Sequence, residues 1–160
     1  MSEYIFITAS KPKSARGIYF DKLAKTFVNK YNYKVIVIYD KHFRNYDFDG
    51  YYLISKTWPN RRPTKLSDFI YIISLIKKYK PFLIISSFGS VNVSNIVGTF
   101  LNVNNRVNFI LSTPLIFDDQ GIFGFLKKTR KKIIYKTSNL YVANTSGVLS
   151  EIQEYYNYNF

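Results

Sequence analysis

Cationic side chains cluster just ahead of the first helical pattern in the sequence. Lys11, Lys13 and Arg16 precede Gly17, where we expect a helix to open. Because the backbone amides at a helix N-terminus favour negative charge, this loop can hold a phosphate or a carboxylate. An ordinary solvated connection between a strand and a helix fits the same residues, so both interpretations stand.

The sequence lacks the glycine patterns that bind nucleotides in other α/β proteins. Gly17 is the only glycine of a possible G-x-G-x-x-G fingerprint, which needs its glycines for a tight turn and for close approach of the pyrophosphate. Asp40 ends a predicted strand but lies further along the chain than the usual ribose-binding acid. A P-loop pattern is absent as well. We therefore predict no bound cofactor.

Side chains that commonly bind metals or act as nucleophiles are scarce. The chain has no cysteine and one histidine, His42, which excludes a thiolate zinc site, a thiol nucleophile and a multi-histidine metal site. Asp118 and Asp119 can together hold a divalent ion, or they can cap a helix and form a turn before Gly121. We predict no metal site and assign no catalytic residue.

A basic helix is the sharpest feature of the second half of the chain. Its cations are Lys127, Lys128, Arg130, Lys131 and Lys132. Leu126, Thr129 and Ile133 recur along one side of it. This mixture suits a helix lying on an anionic membrane surface, a helix contacting a phosphate backbone, or an ordinary sheet-covering helix with a solvated basic face. We predict a membrane-surface role for the five cations.

The overall charge also favours an anionic partner. The formal charge is +13, from 23 Lys+Arg against 10 Asp+Glu, and such an excess attracts nucleic acid, anionic lipid or phosphate-bearing substrates. A compositional preference for lysine gives the same total without any partner. No apolar run approaches the ~20 residues that span a bilayer, and the N-terminus does not have the pattern of a secretory signal.

Buried strands alternate with amphipathic helices along the 160 residues, a length that fits one domain. The predicted strands are residues 4–10, 34–39, 51–56, 82–85, 106–111 and 140–143. Helices are predicted between them, with Thr64 as an N-cap and Pro81 ending a helix by moving Lys80 out of the α region. The last helix is predicted at Ser146–Tyr156.

This alternation indicates βαβ units and a parallel sheet. Right-handed crossovers favour a doubly wound, Rossmann-like α/β sheet with helices on both faces and the strand order 3-2-1-4-5-6. In such sheets ligands collect at the carboxyl ends of the strands, where the strand order reverses. We therefore expect the working crevice beside the first and fourth strands, at the stretch that ends with Ser90.

Two stretches carry a resemblance to a known family. In Leu75–Ile85 a helix is followed by Lys80-Pro81 and a buried strand. In Arg130–Ser150 a basic helix is followed by a strand and the turn Val142–Ser146. The chain resembles the N-terminal domain of family-4 glycosyltransferases, which have the GT-B fold. The pattern covers nearly the whole chain, although Phe82 stands where the family usually has an aspartate.

The resemblance implies that this chain is the acceptor-binding half of a two-domain enzyme. In the family a second Rossmann-like domain binds the nucleotide-sugar donor, and none follows before Phe160, so we expect the chain alone to be inactive. The residues matched by position to the family's interdomain cleft are Ser14, Arg16, Gly17, Phe88, Gly89, Ser90, Ser112, Thr113, Thr145 and Ser146. The family's paired glycines in the first cleft loop and a histidine after Pro114 are missing here.

From the resemblance we expect a retaining glycosyltransferase that transfers a sugar from a nucleotide-sugar donor to a glycan or a lipid-linked acceptor in cell-surface polysaccharide biosynthesis. We expect it in the cytoplasm, peripheral at the inner face of the plasma membrane. The alternative is a non-enzymatic basic α/β module that binds nucleic acid or another anionic partner, although no known nucleic-acid motif accompanies the charge. A flavodoxin-like domain holding a flavin is a third reading.

Overall fold

The computed structural model describes residues 4–8, 11–40, 53–60, 63–87, 89–110 and 122–156, without the side chains of Ile122, Phe123, Lys127, Tyr155 and Tyr156. The strands are β1 (Tyr4–Thr8), β2 (Lys34–Tyr39), β3 (Leu53–Thr57), β4 (Leu83–Ser87), β5 (Asn105–Ile110) and β6 (Leu140–Ala143). The helices are α1 (Ala15–Tyr31), α2 (Leu66–Tyr79), α3 (Ser90–Phe100), α4 (Ile122–Tyr135) and α5 (Ser146–Tyr156).

The six strands form one parallel sheet in the order β3-β2-β1-β4-β5-β6. This is the predicted order, and the doubly wound, Rossmann-like fold class is confirmed. The order in which strands are added reverses between β1 and β4: β2 and β3 lie on one side of β1, and β4, β5 and β6 lie on the other. At this junction Phe6 lies opposite Ile84. Strands β2 and β6 and helix α5 have the predicted bounds.

Helices cover both faces of the sheet, because alternate side chains of each strand point to opposite sides. On one face, Ile5 and Ile7 of β1 pack with Phe20 of α1. On the other face, Phe6 packs with Ile72 of α2. Helices α2, α3 and α4 lie side by side over this second face. Double coverage explains why the central strands read as unbroken apolar runs rather than as alternating patterns.

Helix α2 begins one residue later than the sequence suggested. The N-cap is Lys65, not Thr64. The Lys65 backbone N–H donates to the Asp68 carboxylate at 2.9 Å, so the acidic group of the first turn holds the N-cap residue against the helix. An acceptor of negative charge suits this position because the helix dipole is positive there.

The other end of α2 follows the expectation from Pro81. Lys80 leaves the right-handed helical region and adopts a left-handed conformation, with φ 47° and ψ 59°. Its backbone N–H still donates to the Ile76 carbonyl at 2.8 Å, which satisfies one of the last carbonyls of the helix. The chain can then turn directly into β4.

Helix α4 exposes the apolar side that its sequence pattern displays. Leu126, Thr129 and Ile133 recur along one side, and all three are exposed. Among the residues of α4 whose burial is described, Gly124 and Ile134 are buried, and they lie on the opposite side of the helix. The apolar stripe that a sequence pattern assigns to the core therefore lies on the surface of this helix.

A buried polar ladder joins the sheet to the helices of the second face. The Ser86 hydroxyl of β4 donates to the Asn108 side-chain oxygen of β5, and the Asn108 amide donates to the Ser138 hydroxyl. From α3, the Asn95 amide donates to the same Ser138 hydroxyl at 2.8 Å. All four side chains are buried, so two strands, α3 and the turn after α4 are linked through hydrogen bonds inside the core.

Candidate functional site

The carboxyl ends of the six parallel strands meet at one edge of the sheet, which is where such folds bind ligands. Several connections at this edge lie outside the described ranges, including residues 41–52 and 111–121. The predicted cleft residues Phe88, Ser112 and Thr113 fall in these undescribed parts. The edge is described through the N-termini of α1, α3 and α5 and the ends of the strands.

Ser14 builds the entry to α1. Its hydroxyl oxygen accepts a hydrogen bond from the Gly17 backbone N–H at 3.1 Å, and its O–H group donates to the Lys11 carbonyl at 2.7 Å. One side chain thus caps the first turn and ties the preceding loop to it. The loop that carries Lys11 and Lys13 is held against the helix and is not a loose connection.

Gly17 is required by a close approach of two backbone segments. A Cβ at this position would lie 2.0 Å from the Lys11 carbonyl oxygen and 2.5 Å from the Pro12 carbonyl oxygen. Real Cβ contacts are essentially never below 3.0 Å, so the loop can only pack here against a glycine. The residue assigned to a cleft loop from the sequence therefore shapes that loop through its missing side chain.

A cavity of about 350 Å³ opens between the start of α1 and the ends of β5 and β6. It is lined by Ala15, Arg16, Tyr19, Phe20, Phe109, Val142, Ala143 and Asn144. Its strand residues come from β5 and β6. The predicted crevice beside β1 and β4 includes residues 9–10 and 88, which lie outside the described ranges. Its volume is within the usual range of small-molecule pockets.

Aromatic rings form the apolar wall of this cavity. The Phe20 and Phe109 rings meet edge to face with centroids 5.2 Å apart. The Tyr19 ring contacts both, at 5.4 Å from Phe20 and 5.8 Å from Phe109. Phe20 and Phe109 are buried whereas Tyr19 is 51% exposed. A fixed aromatic base therefore carries one ring that a ligand can contact directly.

The polar part of the cavity is biased toward anions. Arg16 lies in the first turn of α1, and partial burial lowers the pKa of its guanidinium, which remains a cation at neutral pH. Asn144 lies just before α5, where the Thr145 hydroxyl accepts from the Val148 backbone N–H at 3.3 Å. Neither α1 nor α5 has an acidic residue in its first turn, so both helix dipoles present positive ends here.

The remaining cleft predictions divide into exposed and buried residues. Gly89, Thr145 and Ser146 are exposed. Ser90 is buried, and its hydroxyl lies 2.7 Å from the Thr8 hydroxyl and donates to the Ser87 carbonyl at 2.6 Å. The Ser90 hydroxyl is therefore engaged in hydrogen bonds inside the fold, where β1 and β4 end.

Sequence reasoning missed Tyr19, Phe109 and Asn144 as site residues. Tyr19 was indistinguishable from other aromatic residues of an amphipathic helix, and Phe109 was simply part of an apolar strand. Asn144 was the easiest of the three to predict, because it follows the last residue of β6 and so lies at the carboxyl edge of the sheet. Within the described ranges, no group of three or more histidine, aspartate or glutamate side chains is placed to hold a metal ion.

The predicted membrane-surface cations lie on α4 as expected. Lys128 and Arg130 are exposed, and Lys131 and Lys132 are half-buried. Lys127 belongs to the helix, but its side chain lies outside the described part. Among the described residues, no helix is both long and apolar enough to cross a bilayer.

Comparison with known proteins shows a likeness of fold and no match of sequence. No family model matches the sequence, and no curated protein matches it. Among solved structures, the sucrose-phosphate synthase from Thermosynechococcus elongatus superposes with a TM-score of 0.63 at 12% sequence identity. The chain has a glycosyltransferase-like fold.

The match covers 94% of this chain and 44% of the synthase chain. The chain thus spans less than half the length of that neighbour. Sucrose-phosphate synthase is a GT-B glycosyltransferase, and its likeness to this chain is one of fold: a six-stranded parallel sheet with helices on both faces.

Proposed function

We propose that this chain is the acceptor-binding domain of a retaining, family-4-like glycosyltransferase. The proposed reaction moves a sugar from a nucleotide-sugar donor to a glycan or a lipid-linked acceptor in cell-surface polysaccharide biosynthesis. The observation that carries the proposal is the cavity between α1 and the ends of β5 and β6. It combines an aromatic wall with positive helix ends, on a fold shared with a glycosyltransferase.

Three of the lining residues have roles in this proposal that follow from their chemistry. The exposed ring of Tyr19 offers a flat apolar surface to a sugar or to an isoprenoid carbon. Arg16 and the N-terminus of α1 offer positive charge to a phosphate of the acceptor. The Asn144 amide, which also lines the cavity, offers both a donor and an acceptor to sugar hydroxyls.

The donor is assigned to a second domain, as the family resemblance implies. Transfer from a nucleotide sugar develops negative charge on the leaving diphosphate, and groups that stabilise this charge carry much of the rate acceleration. In the proposed enzyme these groups belong to the second domain, and this chain positions the acceptor hydroxyl for attack.

Binding of an acceptor analogue tests the proposal. The probe is a water-soluble short-chain prenyl diphosphate carrying one sugar, titrated into the 160-residue protein by calorimetry. We expect saturable binding that weakens about tenfold in Tyr19→Ala, as for loss of one aromatic contact, and also in Arg16→Gln. Matched controls on the same helix are Tyr31→Ala, since Tyr31 is 53% exposed, and Lys22→Gln, both of which should bind as the wild type does.

Two results would argue against this assignment. The first is no saturable binding of the sugar-bearing probe. The second is equal weakening by the control and cavity variants, because Tyr31 lies at the far end of α1 and does not line the cavity. A prenyl diphosphate without the sugar separates recognition of the sugar from recognition of the lipid phosphate.

A further inference from the structure

The outer surface of α2 and α3 exposes large apolar side chains. Leu66 is 75% exposed, and Ile70 one turn later is also exposed. On α3, Ile96 is exposed and Phe100 is 77% exposed. Since α2 and α3 pack side by side over the same face of the sheet, these four residues share one surface. Solitary exposed apolar residues are ordinary, whereas several large ones on adjacent helices of one layer indicate an interaction site.

Helix α4 continues this surface. It lies next to α3, where the Asn95 amide donates to the Ile134 carbonyl. Phe125, Leu126 and Ile133 are exposed on the side of α4 away from the sheet. We call the surface formed by these three residues together with Leu66, Ile70, Ile96 and Phe100 the three-helix face.

Cations border the three-helix face. Lys128 lies three residues after Phe125, and Arg130 lies four residues after Leu126, so each cation is on the same side of α4 as an exposed apolar residue. Lys132 and Lys136 extend the basic border along α4 and just beyond it. Long basic side chains can cover apolar surface with their stems and keep their charge at its rim.

A second basic border lies at the C-terminal ends of α2 and α3. Here a groove of about 370 Å³ is lined by Lys77 and Lys80 together with apolar residues such as Leu101. Positive charge therefore stands at two separate borders of the three-helix face. The apolar residues lie between these borders.

Negative charge is nearly absent from this layer. Asp68 is the single acidic residue in the sequences of α2, α3 and α4. It is fully buried and accepts hydrogen bonds from the Asn60 side chain and the Lys65 backbone. The described acids of the rest of the chain lie elsewhere, such as Glu151 and Glu154 on α5. The three-helix face is therefore both apolar and of one sign of charge.

We propose that the three-helix face docks on an anionic lipid bilayer. Its apolar side chains enter the interface, and its cations contact phosphate headgroups. An interfacial site needs both components, since apolar burial supplies affinity and basic residues select an anionic surface. A second copy of this chain is disfavoured as the occupant because it would bring two basic borders together. A nucleic acid would use the cations but would gain little from exposed Leu66, Ile70 and Ile133.

Docking in this orientation leaves the acceptor cavity open. The cavity is lined by α1 residues such as Arg16 and Tyr19, and α1 covers the face of the sheet opposite to α2, α3 and α4. The bilayer would lie along one face of the domain while the cavity opens at the carboxyl edge of the other. This inference does not depend on the proposed acceptor, because lipid headgroups alone suffice for docking.

Vesicle flotation tests the proposal with the 160-residue protein. The vesicles contain phosphatidylcholine alone or equal parts of phosphatidylcholine and phosphatidylglycerol, with no glycolipid. One variant set removes apolar residues: Phe100→Ser, Phe125→Ser and Ile133→Ser. A second removes charges: Lys128→Gln, Arg130→Gln, Lys132→Gln and Lys136→Gln. A control set removes as many exposed charges elsewhere: Lys11→Gln, Lys13→Gln, Lys22→Gln and Lys30→Gln.

We expect the wild type to float with the anionic vesicles and not with the neutral ones. The charge set should weaken partitioning about tenfold or more, given the usual effect of each basic residue near an anionic surface. The apolar set should abolish the binding that persists in high salt, and the control set should have a smaller effect than either. Circular dichroism checks that every variant is folded. All the substituted side chains except Lys132 are exposed, and substitutions at exposed positions usually change stability little.

Three outcomes would overturn the proposal. The first is no binding to anionic vesicles. The second is an equal loss in the control set, which would assign binding to net charge alone. The third is a dimer in sedimentation, or a complex with duplex DNA, that depends on these residues while vesicle binding does not.

Discussion

Replacing Gly17 by alanine is the most direct test of how the loop before α1 is built. The added methyl group would start 2.0 Å from the Lys11 carbonyl oxygen, and the contact must lengthen to at least 3.0 Å. The obstacle is backbone, so it cannot rotate away as a side chain would. The loop must withdraw from α1 or the helix must begin later.

The expected cost follows from the contacts at this junction. The Lys11 carbonyl accepts hydrogen bonds from the Ser14 hydroxyl at 2.7 Å and from the Ser14 backbone N–H at 3.1 Å. Losing both costs about 2 kcal/mol, and overpacking adds about 1–3 kcal/mol. Alanine regains about 1 kcal/mol of helix propensity. The Gly17→Ala variant should therefore lose about 2–4 kcal/mol of unfolding free energy, from the sum of these terms.

Urea unfolding followed by tryptophan fluorescence measures this loss. Trp58 is the single tryptophan and is 1% exposed, so its emission reports the folded core. The matched control is Gly147→Ala near the start of α5, where the nearest atom to a new Cβ is the Thr145 hydroxyl oxygen at 4.0 Å. That variant should be as stable as the wild type, or more stable by up to about 1 kcal/mol.

The reasoning fails if Gly17→Ala is as stable as the wild type with an unchanged urea slope. Such a result would mean that the loop accepts the methyl group without losing its contacts. A large loss of stability in Gly147→Ala would also refute it, since the control has room for a methyl group.

Two further predictions concern a buried carboxyl group and the enzyme as a whole. Burial raises the pKa of Asp21 above its ordinary 3.8, despite a hydrogen bond from the Tyr39 hydroxyl. The protonated carboxyl therefore contributes its full stabilisation of the folded state below pH 3.8, and this stabilisation is lost as the pH rises through the pKa of the folded protein. Asp21→Asn should remove this loss, and its melting temperature relative to wild type should be higher near neutral pH than in acid. The purified chain alone should transfer no sugar from any nucleotide sugar, measured by product chromatography, and robust turnover would contradict the division of roles proposed above.

The topology was predictable because it depends on features that a sequence displays. Apolar runs such as Val35–Ile38 indicate strands on their own, without information about neighbouring segments. Because these strands alternate with helices along the chain, they are expected to pair in parallel. The position of Pro81 correctly ended α2 for a local steric reason. Strand order then followed from the handedness of crossovers, which is nearly invariant.

The orientation of α4 was not predictable in the same way. A period of three and four residues shows that Leu126 and Ile133 share a side, but not that this side faces the sheet. The side of α4 that faces the sheet is determined by the packing of Gly124 and Ile134 and by the hydrogen bond from the Asn95 amide to the Ile134 carbonyl. These are contacts between segments far apart in the sequence, which local periodicity does not encode.

The location of the cavity depended on the same kind of contact. The fold class predicts a crevice at β1 and β4, where residues 9–10 and 88 lie outside the described ranges, whereas the described cavity lies at the ends of β5 and β6. The aromatic contacts among Tyr19, Phe20 and Phe109 formed a wall one strand further along. A sequence shows which rings exist and which edge they are near, and tertiary packing decides which of them meet.

The polar ladder of Ser86, Asn108, Ser138 and Asn95 bears on how the chain avoids misfolding. Ser86 and Asn108 are partners in the parallel register of β4 and β5. A slip of one residue would turn Asn108 to the opposite face, away from Ser138, and would leave a buried amide without its partners. In a sheet of interchangeable Ile and Val runs, apolar packing alone discriminates poorly between neighbouring registers. The ladder makes the wrong alignments costly, so its main contribution is to the uniqueness of the native pairing.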